Sequence, residues 1–175
     1  MLYTGKGDGG TTRVIDSAER ISKASPLPEA LGTLDELNSY LGLARAQAGG
    51  RIKEQLRDAQ ETLFIVQAEV AGSDKRIREG KTVEEMEPSI NSIEAEIPPL
   101  RGFSIAGGTE LSAALDVART MARRAERRLA ALEDEQLRTL SAETKRYMNR
   151  LSSLLFALAR LANHEAGVAE ENPKY

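Results

Sequence analysis

The segment Tyr3-Thr-Gly-Lys-Gly-Asp-Gly-Gly-Thr-Thr-Arg13 places four glycines within six positions, Gly5 to Gly10. Without Cβ atoms, successive backbone N–H groups can converge on one point, and Thr4, Lys6, Thr11, Thr12 and Arg13 add side-chain donors. The chemistry such a segment offers is phosphate binding. It is not a Walker A loop, because GxxxxGK[ST] fits nowhere and no strand pattern precedes it. The alternative is a flexible terminus with no ligand.

A second group lies at Arg119, Arg123, Arg124, Glu126, Arg127 and Arg128, five guanidinium groups in fewer than three helical turns. Like charges at i, i+4 repel, so the arrangement is costly unless anions lie between them. A solvated basic face with Glu126 as local partner suits Arg124 and Arg128. It suits Arg119 and Arg123 less well, since they flank the small Ala118 and Ala122 of an apolar seam. Asp35 and Asn38 sit one turn apart beside Leu34 and Leu37. A carboxylate at such a boundary calls for a cation, and arginine matches the carboxylate fork; an exposed mid-helix Asp is the alternative. Asn149 and Arg150 adjoin Leu151, where asparagine is a poor helix former and suits hydrogen bonding. Phe103, between Gly102 and Gly107-Gly108, reads either as a core plug or as a wedge into a ligand site.

Other chemistries are set aside. His164 is the only histidine and cysteine is absent, so thiolate metal sites, disulfides and cysteine nucleophiles have no residues. The paired Glu-x-x-His of di-metal bundles is missing, and no serine stands in a nucleophile elbow. The net charge of −3 argues against general nucleic-acid binding. No membrane-length apolar run and no signal or transit pattern is visible, so the expected compartment is the cytoplasm with no membrane partner. An enzyme with this inventory works by orientation and charge stabilisation rather than proton shuttling.

Helices must position these groups. Residues 1–25 read as a polar loop, and Pro26 and Pro28 open a helix that runs to about Ala48. Its seam is Leu34, Leu37, Leu41, Ala44 and Ala48. A second helix, about 51–72, carries Ile52, Leu56, Ala59, Leu63, Val66 and Val70. Residues 73–82 are charged and predict an exposed loop, followed by a shorter helix at about 83–96. Thr109 predicts the N-cap of a fourth helix, about 110–133, with seam Leu111, Leu115, Ala118, Ala122, Ala125, Leu129 and Leu132. The fifth, about 135–166, carries Leu137, Leu140, Thr144, Tyr147, Leu151, Leu154, Leu158 and Leu161. Sustained 3–4 alternation predicts an all-α, five-helix bundle with near-parallel and antiparallel packing. At 175 residues it is read as one domain, with an N-terminal nucleotide-binding loop (1–25) and a helical bundle (26–168).

Four ordered blocks resemble the PduO-type ATP:cob(I)alamin adenosyltransferases over nearly the full length. They are YTGKGDGGTTR (3–13), GTLDELNSY (32–40), FSIAGGTELSAALDVARTMARRAERR (103–128) and NRLSSLLFALARLAN (149–163). The resemblance implies a five-helix bundle that assembles as a homotrimer with active sites between subunits. It implies that Thr4, Gly5, Lys6, Gly7, Asp8, Gly9, Thr11, Thr12 and Arg13 fold over ATP and its Mg²⁺, with Lys23 as a phosphate contact. Arg123, Glu126, Arg127 and Asn149 would handle the nucleotide, Asp35 and Arg119 would form a salt bridge between subunits, and Phe103 would be the wedge.

The implied reaction transfers the 5′-deoxyadenosyl group of ATP to cob(I)alamin, formed from cob(II)alamin, with release of triphosphate. Partners would then include a reductase and an adenosylcobalamin-dependent acceptor enzyme. An apolar ring below the corrin would exclude water and the dimethylbenzimidazole ligand, which makes cob(II)alamin easier to reduce. Two rival readings use the same residues. One is a non-catalytic ATP-binding regulatory bundle; the other is a structural trimer whose arginines form only interface salt bridges.

Overall fold

The apolar seams close on one another in the computed structural model, which describes residues 2–78 and 83–175. Five helices form: α1 (Pro26–Gln47), α2 (Gly50–Val70), α3 (Val83–Glu96), α4 (Glu110–Asp134) and α5 (Ala142–Glu165). Every residue of the α1 and α2 seams is buried, as are the seam residues from Leu115 to Leu132 on α4 and from Thr144 to Leu161 on α5, with Leu140 buried just ahead of α5. Leu111 is partly buried against the same core.

Side-chain pairs fix the directions. Arg124 pairs with Glu36 and Arg128 with Glu29 at 3.3 Å, so α4 runs antiparallel to α1. Asn149 meets Glu126 at 3.0 Å and Asn163 meets Thr109 at 3.0 Å, so α5 runs antiparallel to α4. The Tyr147 hydroxyl donates to the Ala59 carbonyl at 3.2 Å, joining α5 to α2. Burial holds that phenol well above the ordinary tyrosine range, so it stays a neutral donor. α3 lies outside this group of four against α5, tied by Arg150 to Glu87 at 2.8 Å. α1 starts, α2 ends, α4 ends and α5 starts at one end of the bundle; the loop between α3 and α4 lies at the other.

Three expectations need correction. The fifth helix starts at Ala142 rather than 135. Gln136 takes φ +56, which interrupts the helix, and Leu137 is left exposed. The Glu133 carboxylate braces this turn by accepting from Leu140 N at 3.1 Å, and that bond, then Lys145, holds its pKa below the usual carboxylate range. Ser141 then caps α5 by accepting from Thr144 N. The buried Glu69 takes Ser141 N at 2.6 Å and Thr144 Oγ1 at 2.7 Å, so α2 holds the new helix start. A carboxylate there also opposes the positive end of the helix dipole.

Residues 1–25 contain a two-stranded antiparallel ribbon, β1 (Thr11–Thr12) and β2 (Ile21–Ser22), where a loop without strands was expected. Val14 is buried and Ile15 N donates to Ala71 O at 3.0 Å, which docks the ribbon on the α1-start end of the bundle. Within the expected exposed loop 73–82, Ile77 is buried and Arg76 reaches Glu69 at 3.4 Å; residues 79–82 lie outside the described residues. An isolated isoleucine between charged neighbours shows no period, so its anchoring role was not visible in the sequence.

Candidate functional site

The N-terminal segment builds its own concavity. Asp8 N donates to Gly5 O at 3.2 Å and Gly10 N to Gly7 O at 3.1 Å, two tight turns in succession. Gly5 and Gly10 take φ +67 and +73, where a side chain would be strained. The turns enclose a cleft of about 530 Å³ lined by Thr4, Lys6, Gly7, Asp8, Thr11, Thr12, Arg13, Arg20 and Lys23. Four cations therefore face one carboxylate. Gly5 and Gly9 shape the turns without lining the cleft. Lys23 lies against Gly7, where a Cβ would stand 2.9 Å from its Nζ. The loop and its distant lysine thus form one surface.

On α4 the arginines divide by face. Arg124 and Arg128 turn to carboxylates of α1 as exposed ion pairs, the kind that contribute little to stability. Arg119, Arg123 and Glu126 turn to α5. Arg119 Nε donates to Asp116 Oδ1 at 3.1 Å, and its guanidinium stands 5.8 Å from the centroid of the Phe156 ring. Arg123 is exposed and forms no ion pair among the described residues. Arg127 donates to the Arg123 carbonyl at 3.1 Å. Glu126 accepts from Asn149 Nδ2, not from an arginine, and Asn149 Oδ1 accepts from Arg150 at 2.6 Å. Glu126 is therefore not the local partner of the basic run.

Above this pair lies a cavity of about 380 Å³ between the α3–α4 loop, α4 and α5. Phe103, Arg119, Arg123, Ser152, Ser153 and Phe156 are among its lining residues. Phe103 is 77% exposed, so it is no core plug. Asp35 is also exposed, and no ion pair to it forms within the chain among the described residues. Arg119 meets Asp116 instead. The chain therefore carries two separate concavities, the cationic cleft at the α1-start end and the Phe103 cavity towards the opposite end.

Residues 2–162 match the family model for cobalamin adenosyltransferase. The chain belongs to that family. The corrinoid adenosyltransferase PduO of Citrobacter freundii is 39% identical over 172 residues, covering 94% of this chain and 50% of that protein. The corrinoid adenosyltransferase of Bacillus subtilis (strain 168) is 36% identical over 178 residues, covering 97% of this chain and 90% of that one. The chain thus spans about half the length of the Citrobacter PduO relative and most of the Bacillus one. Among solved structures, a phenylalanine-to-histidine variant of a PduO-type ATP:corrinoid adenosyltransferase from Lactobacillus reuteri, complexed with cobalamin and ATP, superposes with TM-score 0.90. Its identity is 30%, with 97% of this chain and 95% of that chain covered. An arginine-to-lysine variant of the same protein, complexed with ATP, also gives TM-score 0.90 at 30% identity, covering 99% and 100%.

In this cobalamin adenosyltransferase chain, several organising residues escape sequence reasoning. Arg20 donates to Thr11 Oγ1 at 2.8 Å, Thr11 O at 2.7 Å and Lys6 O at 2.6 Å, cross-linking the loop. It sits in a stretch with no period, where only the partners reveal its role. Asn163 accepts from Thr109 N at 3.0 Å and donates to Gly107 O at 2.8 Å, and Asp116 Oδ2 accepts from Gly107 N at 3.3 Å. These contacts set the turn that ends the Phe103 loop. Gly108 takes φ +109, and a Cβ there would stand 2.7 Å from Cγ of Asn163. Gly108→Ala is therefore expected to lower the unfolding free energy by about 1–3 kcal/mol, the usual cost of such backbone strain. A urea melt checks it; a variant as stable as the parent would remove Gly108 from this role.

Proposed function

We propose that the chain transfers the 5′-deoxyadenosyl group of ATP to cob(I)alamin and releases triphosphate. The observation that carries this reading is the cavity where an exposed phenyl ring, Phe103, and a guanidinium without an ion-pair partner among the described residues, Arg123, stand together in a chain of this family. Cob(I)alamin is the nucleophile: its cobalt electron pair forms the Co–C5′ bond as the C5′–O bond breaks, and triphosphate leaves with the electron pair of the C5′–O bond. No protein base is needed. The chain supplies orientation, exclusion of water and cations for the leaving group.

Within that reading, the N-terminal cleft takes the triphosphate, with Lys6, Arg13 and Lys23 as its cations and the glycine turns as N–H donors. Arg123 takes charge developing on the leaving oxygen, Asn149 and Glu126 contact the nucleoside, and Arg127 supports Arg123. Phe103 presses on the lower corrin face. Among the described residues no group of three or more acidic or histidine side chains could cage a metal ion. Mg²⁺ therefore fits as a companion of the phosphates, with Asp8 and the threonine hydroxyls as the loop's oxygen donors.

The separation of the cleft from the cavity supports a site between copies of the chain. Cleft and cavity lie towards opposite ends of a bundle whose α4 alone, 25 residues, is about 37 Å long. A homotrimer that sets the loop of one copy against α4 and α5 of the next completes the site. It also offers exposed Asp35 a cation in the neighbour's Arg119. In a double-mutant cycle, Asp35→Asn and Arg119→Ala are expected to couple by about 1–3 kcal/mol in trimer stability. Additive losses would remove the pairing.

The whole chain acts as one functional unit, the loop 1–25 on the bundle 26–168. Use of ATP supports a cytoplasmic location, and no described helix is long and apolar enough to cross a membrane. A reductase and an enzyme that uses adenosylcobalamin are the expected partners. The deciding experiment is an anaerobic absorbance spectrum of the protein with cobalamin, a chemical reductant and Mg·ATP. Adenosylcobalamin and triphosphate are expected in equal amounts. ATP bound without conversion would establish the regulatory bundle instead.

A further inference from the structure

The loop that carries Phe103 has little to hold it by itself. Between Pro99 and Thr109 it forms no helix or strand, and Gly102, Gly107 and Gly108 all take positive φ. Glycine-rich backbone without ladder bonds is costly to keep in one conformation. The loop's far end is set by Asn163 and Asp116. Its near end is set by Arg160 on α5, which donates through Nη2 to Pro98 O at 2.6 Å. Neither contact reaches Phe103.

The C-terminal segment does. Arg160 is only 8% exposed, and its Nε and Nη2 grip the two carboxylate oxygens of Glu170 at 2.6 and 2.9 Å. A buried guanidinium that loses its carboxylate is strongly unfavourable, so this fork holds the tail in one place. From there Glu171 O accepts from Ile105 N at 2.8 Å, and Asn172 Nδ2 donates to Phe103 O at 2.7 Å. Among the described residues these are the bonds that join the backbone of residues 103–105 to the rest of the chain. Residues 170–172 lie beyond the 2–162 matched by the family model.

We propose that the segment Glu170–Asn172 is a brace that sets the position of Phe103, with Arg160 and Asn172 as its positioning residues. Arg160 fixes the tail and the start of the loop through one side chain, and Asn172 passes that fixed position to the Phe103 carbonyl. The catalytic consequence rests on the adenosyltransferase reading; the brace itself does not. A ring held in place displaces the axial ligand without first being ordered, so loss of the brace acts on kcat from cob(II)alamin rather than on ATP binding.

The test uses the full chain with Asn172→Ala, and Glu170→Gln as a second variant that keeps a hydrogen-bonding side chain at the fork. Asn172 is exposed, so its variant does not endanger folding. Loss of one hydrogen bond is expected to speed amide exchange at Ile105 about fivefold to tenfold, with helix amides unchanged. The fraction of four-coordinate cob(II)alamin seen by electron paramagnetic resonance with Mg·ATP should fall severalfold. So should kcat from cob(II)alamin, at constant KM for ATP. Unchanged exchange at Ile105 in both variants overturns the brace. Faster exchange with unchanged kcat and coordination overturns the positioning role. Faster exchange in a chain whose parent makes no adenosylcobalamin leaves the brace standing and removes the adenosyltransferase reading.

Discussion

Arg123→Ala is expected to lower kcat by about 100- to 1,000-fold, or about 2.7–4 kcal/mol of transition-state stabilisation. The size follows from where the guanidinium stands. Arg124 and Arg128 already have carboxylates on α1, whereas Arg123 lines the cavity and has no ion-pair partner among the described residues. In the proposed reaction a cation kept free in this way gains most as charge grows on the leaving oxygen while the C5′–O bond breaks. Its loss should therefore appear mainly in kcat, with a small change in KM for ATP, because in the proposed site the N-terminal cleft would still hold the phosphates. Thermal stability should be unchanged, since an exposed side chain without a partner leaves nothing unpaired behind. Arg124→Ala is the control and should stay within about twofold of the parent. Equal losses in the two variants would mean that the run acts only through its total charge.

Phe103→Ala should lower turnover from cob(II)alamin roughly 10- to 150-fold, because the ring offers about 1.5–3 kcal/mol of apolar burial against the corrin. At 77% exposure the side chain contributes almost nothing to the free fold, so the melting temperature should not move. Cob(I)alamin prepared chemically, before protein is added, separates wedge from general binding. With it the variant should recover most of its rate, since reduction has been bypassed. The same deficit from both oxidation states would mean that Phe103 orients the corrin rather than promoting its reduction. The ATP-induced shift in melting temperature should be the same as in the parent, as no nucleotide contact is removed.

The helices were legible because a buried stripe leaves a period. The α1 and α2 seams, and the α4 seam from Leu115 on, are buried as their spacing predicts, and Thr109 caps α4 through Ser112 N. The cationic glycine turns were legible for a different reason: clustered glycines and donors are a local signal that needs no partner to be read. Errors came where local and distant forces compete. Leu137 and Leu140 continue the α5 period, yet both lie in the break between α4 and α5, where Glu133 braces the turn at Leu140 and Glu69 on α2 holds the restart at Ser141. Ile77 and Arg20 lack any periodic context, Asn163 is a polar residue near the end of the α5 stripe, and the roles of all three exist only in their contacts.

Sequence alone determined the residue inventory. It established a cationic glycine loop, an arginine run, a lone loop phenylalanine and no cysteine, and hence a chemistry of orientation and charge. Its ordered blocks were also specific enough to place the chain near its family. What the tertiary structure decided is which member of each cluster is available. α4 turns Arg124 and Arg128 to α1 and Arg123 to the cavity, Glu126 is taken by Asn149, and Phe103 stands in solvent under a brace from the tail. The physical reason is that helical period and side-chain type are local properties. The partner that neutralises a charge, or leaves it free, is supplied by whichever helix packs alongside.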